Sequence, residues 1–109
     1  MNSDIKLSLD KLTKASARLQ EGLLSCHDEL GQDGVIKRFE FTFELTWKTL
    51  KRILNQKGSD VSLPRDILKE SFRQGYLHRE EVFLQMLDDR NETSHIYSQC
   101  RKLYKFPHC

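Results

Sequence analysis

The sequence has little proline, glycine or cysteine: 2, 5 and 3 residues in a chain of 109. So few breakers argue against a chain of loops or low-complexity tracts, and no internal repeat is present. Cys26, Cys100 and Cys109 form neither an even framework nor a closely spaced pair, which excludes a disulfide scaffold and fits reduced cytoplasmic thiols. Cys26-His27 and His108-Cys109 lack paired-ligand spacing, so no metal and no cofactor is expected. There is no long uncharged apolar run, and Met1-Asn2-Ser3-Asp4 lacks the basic and apolar segments of a signal peptide. These absences point to a cytoplasmic protein without a membrane span. Charge of one sign is also lacking. Eighteen basic and 16 acidic residues leave +2, too little for nucleic-acid binding by bulk electrostatics. The length excludes most large enzyme architectures, and a chain of this size buries only about two thirds of its unfolded surface, so a partner or a dimer is expected.

What is present is helical periodicity. Ile5, Leu9, Leu12, Ser16, Leu19 and Leu23 recur at steps of three and four, predicting an amphipathic helix over residues 4–26. After Gly31-Gln32-Asp33-Gly34, with Asp33 as the N-cap, a second helix carries Ile36, Phe39, Phe43, Trp47, Leu50 and Leu54 and ends near Gly58. Phe41 and Leu45 add a second apolar set, so more than one face of this helix should be covered. Ser62-Leu63-Pro64-Arg65-Asp66 starts a short third helix that ends by Gly75. A fourth begins near Arg79 with Glu80 and Glu81 in its first turn. No alternating strand pattern competes, and the short connections predict an all-α, antiparallel four-helix up-and-down bundle.

On the fourth helix the apolar stripe of Val82, Met86 and Leu87 continues into Arg90, Thr93, Ser94 and Tyr97. An unpaired guanidinium is costly to bury, so Arg90 must be paired or face a wet cleft. Asn91 and His95 are one turn apart. A fixed cation at Arg90 suits a phosphate, and His95 suits proton exchange near neutral pH. The plainer reading is a surface network with Asp88, Asp89 and Glu92. Trp47 and the phenylalanines read as core, while His27, His78 and Ser94 have no neighbours that suggest chemistry.

Arg90-Asn91-Glu92-Thr93-Ser94-His95-Ile96-Tyr97 resembles the R-x4-H-x-Y motif of the HEPN superfamily. The stretches Arg38 to Lys51, Pro64 to Phe72 with Gly75, and Met86 to Arg90 are similar to the nucleotidyltransferase substrate-binding branch, relatives of HepT toxins. The resemblance implies a dimerising helical bundle, a separately encoded minimal nucleotidyltransferase as partner, and RNA as the substrate of active relatives. Carried onto this sequence, it makes Arg90 and His95 a metal-independent ribonuclease pair and Tyr97 the tyrosine that receives AMP. Asp89 and Asn91 are assigned supporting roles, orienting His95 or pairing Arg90. Relatives continue into a long closing helix, whereas Ser98 to Cys109 is basic and contains Pro107. The expected division is therefore a HEPN-like domain over 1–97 and a short basic tail over 98–109, with the closing helix lost and the Phe39, Phe43 and Trp47 side laid open. Three roles follow: a non-catalytic toxin–antitoxin-type partner of the nucleotidyltransferase, which is preferred, an active ribonuclease, or a truncated and degenerate family member.

Overall fold

A computed structural model describes residues 3–92, which form α1 (Ser3–Ser25), α2 (Glu29–Gln56), α3 (Pro64–Arg73) and α4 (Glu80–Glu92), with no strand among them. The expected all-α bundle is the fold. Thr93 onward, including the expected tail over 98–109 and any closing helix, lies outside the described residues. None of the described helices is long and apolar enough to cross a membrane.

The spine is α2, whose 28 residues rise about 42 Å along a molecule 45 Å long. Its N-cap is Asp28, not Asp33. The Asp28 carboxylate accepts from the Gly31 amide at 2.8 Å, satisfying a donor that the first turn leaves free. Gly31 therefore lies inside the helix rather than in a loop. A Cβ there would stand 3.0 Å from Cys26 Cβ, tighter than an ordinary contact, so the turn from α1 leaves little room for a side chain at this point. Cys26 itself is buried.

α1 runs antiparallel along α2, and the centre of its buried stripe differs from the leucine pattern. Ser8 and Ala15 are buried and Gly22 is half-buried, one every second turn, while Ser16 is exposed and Leu9, Leu12, Leu19 and Leu23 flank the contact half-buried. Small side chains let the two backbones approach closely. Thr42 Oγ1 lies 3.3 Å from Ala15 O, Arg38 Nη1 donates to Arg18 O at 2.6 Å, and Arg52 Nη1 donates to Ser8 Oγ.

The main core joins the second half of α2 to α3 and α4: Phe43, Leu50, Leu54, Ile67, Leu68 and Leu87. Phe39 and Trp47 are partly buried and pack against it. The second apolar set behaves otherwise. Phe41 is 60% exposed, because α1, α3 and α4 cover other faces of α2.

Both predicted glycine stops hold. Gly58 and Gly75 have positive φ, and the bonds Ser59 N to Leu54 O and Tyr76 N to Ser71 O close the ends of α2 and α3. Arg79, just before α4, has φ 61°, unusual for a residue with a side chain.

Candidate functional site

The site is built where α4 crosses the middle of α2. Leu87 anchors α4 in the core, and one turn later Arg90 emerges at the rim, its side chain 34% exposed. Its guanidinium faces two carboxylates of α2: Nε lies 3.9 Å from Glu40 Oε2, and Nη2 lies 3.8 Å from Glu44 Oε2. Glu40 and Glu44 occupy one face because they are four residues apart on a helix. Glu40 is the more buried, at 16% exposure. These separations exceed hydrogen-bond length, so the two pairs are electrostatic contacts.

Glu44 is shared. Its Oε1 lies 2.8 Å from Lys48 Nζ while its Oε2 faces Arg90. The Lys48 hydrogen bond, assisted by the positive charges of Lys48 and Arg90, holds the Glu44 carboxyl below its ordinary value of 4.5. Two cations therefore flank one ionised carboxylate on an open face. With Glu40 counted, Lys48 and Arg90 are balanced by two carboxylates, so the cluster is formally neutral.

The supporting residues named from the sequence differ in exposure. Asp89 is buried, 7% exposed, and accepts from Gln85 Nε2 at 3.0 Å, one turn back. Asn91 is exposed. His95 and Tyr97 lie outside the described residues. The plainer network is also rearranged: Asp88 pairs with Arg65 at the start of α3, at 2.6 Å. The ion pairs of Arg90 with Glu40 and Glu44 were not foreseen. A usable signal was present, since Glu40, Glu44 and Lys48 repeat every four residues inside the stretch that carries the family resemblance.

Two comparisons with known proteins bear on the family of the chain. Residues 7–104, a span that enters the basic C-terminal segment, match the family described as nucleotidyltransferase substrate binding protein like. The chain is also 32% identical to a protein of Haemophilus influenzae described as probable ribonuclease HepT, over 86% of this chain and 76% of that one. The chain is a HEPN-type, HepT-like member of the nucleotidyltransferase substrate binding protein-like family.

Proposed function

We propose that the chain is a ribonuclease of the HepT type, kept in check by a separately encoded minimal nucleotidyltransferase. The observation that carries this reading is Arg90: in a chain 32% identical to a protein described as a probable ribonuclease, the first residue of the R-x4-H-x-Y motif stands partly exposed between two α2 carboxylates. A guanidinium so placed supports charge stabilisation on a phosphoryl group.

In the proposed reaction the ribose 2′-oxygen bonds to phosphorus as the bond to the 5′-oxygen breaks. The 2′-proton leaves and the 5′-oxygen gains one, giving a 2′,3′-cyclic phosphate and a 5′-hydroxyl end. His95 serves one of these proton transfers, and Arg90 balances charge on the phosphoryl oxygens. Asn91 and Asp89 keep the supporting roles assigned from the sequence, and two copies of the chain bring their motifs to a shared cleft. For control, Tyr97 Oη bonds to the α-phosphorus of ATP, releasing pyrophosphate and the phenolic proton. The AMP left on Tyr97 places a phosphate beside the cleft and repels an RNA backbone.

The test is cleavage of RNA by the purified chain in the presence of a chelator. His95→Ala is expected to lower the rate by roughly 10²–10⁴-fold, and Arg90→Ala by roughly 10²–10³-fold. Cleavage that survives His95→Ala, or that requires a divalent metal, overturns the mechanism. The family description favours a second reading, a non-catalytic partner of the nucleotidyltransferase. A stable complex and AMP transfer to Tyr97 without any RNA cleavage would establish that reading instead.

A further inference from the structure

Beyond Arg90, α2 carries a groove of about 380 Å³ lined by Trp47, Lys48, Lys51, Arg52 and Asn55. Three of the five residues are cations, one is an amide, one is aromatic and none is a carboxylate. A chain whose net charge is only +2 thus gathers three positive charges in one concave strip. Glu44, Lys48, Lys51, Arg52 and Asn55 fall at helical spacing, so the strip continues from the carboxylate that Arg90 faces. Glu44 joins the two regions, with Lys48 Nζ on one oxygen and Arg90 Nη2 on the other. A contiguous pocket on the far side holds Arg52 and Asn55 beside Asp4, where the run of positive charge stops.

The individual side chains suit a nucleic-acid backbone. Arg52 is fixed by its bond to Ser8 Oγ on α1, which leaves guanidinium donors pointing from a held position. Lys51 is half-buried and forms no salt bridge among the described residues. Trp47 packs in part against the core and Lys48 Nζ stands over its ring, 5.8 Å from the centroid, so a base reaching the indole face would take the place of the ammonium. Cations along a groove combined with an aromatic platform are the recurring chemistry of single-strand binding, where stacking is sequence-tolerant and the phosphates supply affinity.

We propose that the Trp47–Lys48–Lys51–Arg52 groove holds the single-stranded RNA that flanks the phosphate at Arg90, with the backbone on the three cations and a base against Trp47. This rests on the ribonuclease reading for the identity of the ligand, but it concerns a surface that reading does not use.

The full chain carrying His95→Ala, which removes the proposed cleavage, is titrated with a fluorescein-labelled single-stranded RNA of about 12 nucleotides, alongside cleavage assays on the parent. Trp47 is the chain's one tryptophan, so intrinsic emission reports on the groove directly. The expected results are quenching of that emission and a salt slope that falls by roughly 2 when all three cations become Gln, at about 0.7 per phosphate contact. Lys51→Glu alone should weaken binding several-fold and leave the circular dichroism unchanged, which guards against a triple variant that fails to fold. Intact quenching, affinity and salt slope in Lys51→Glu and the triple variant overturn the groove, even if the parent cleaves RNA. Groove-dependent binding without cleavage by the parent upholds the groove and overturns the ribonuclease reading. Loss of nucleotidyltransferase binding in Lys51→Glu with RNA binding unchanged assigns the strip to a protein partner and overturns the proposal.

Discussion

Arg90 and Glu44 show how little of a charged site is decided by one residue's own helix. The sequence places carboxylates at positions 88, 89 and 92 around Arg90, yet the described ion pairs reach across to α2. Local spacing made Arg90 legible as a residue needing a partner; which partner depended on how α4 crosses α2, and that is a tertiary fact. The Glu44 carboxyl, lowered by its Lys48 bond and then by Arg90, makes a pH prediction. A depressed folded value means that its contribution is complete above the ordinary value of 4.5 and is lost as pH falls below it, through the depressed value. The pair is exposed, so the loss is at most about 0.5 kcal/mol. Acid titration of stability should therefore show slightly less acid sensitivity in Glu44→Gln than in the parent. A larger acid sensitivity in the variant would contradict this assignment.

At the scale of elements, termination was more legible than initiation. Gly58 and Gly75 mark the ends of α2 and α3 because a positive φ is cheap only for glycine. The cap of α2 is Asp28, five residues before Asp33, because the Asp28 carboxylate is the one that accepts from a first-turn amide, that of Gly31. In α1 the leucines drew attention to the flanks of the interface, whereas Ser8 and Ala15 occupy its centre. Small residues carry no periodic signal of hydrophobicity, which is why the close helix contact went unread. Arg79 is the remaining irregularity. A left-handed residue with a side chain costs about 1 kcal/mol, so Arg79→Gly should stabilise the fold by roughly 0.5–1 kcal/mol, seen as a Tm higher by about 2–6 °C. A fall in Tm would show that the Arg79 side chain contributes more than its backbone conformation costs.

The molecule as a whole has one member that touches both of its parts. α2 pairs with α1 through small residues and threonines, and with α3 and α4 through Phe43, Leu50, Leu54, Ile67, Leu68 and Leu87. The α1 contact contains fewer large buried side chains, so it should open first. Hydrogen exchange is expected to give α1 amides a lower opening free energy than those of Leu54 and Ile67; equal protection throughout would mean a single cooperative unit. The all-α class and four helices were legible because periodicity and breakers are local. The open Phe41 face was not, because coverage depends on neighbours that sequence spacing does not locate. Arg79 also acquires a mechanical meaning at this scale. It launches a lever about 16 Å long that ends at Arg90, and a swing of roughly 10° at the fulcrum would carry the guanidinium about 3 Å sideways. The gap to either glutamate is hardly greater than that, so the accuracy of one strained backbone residue becomes the aiming error of the charge at the other end.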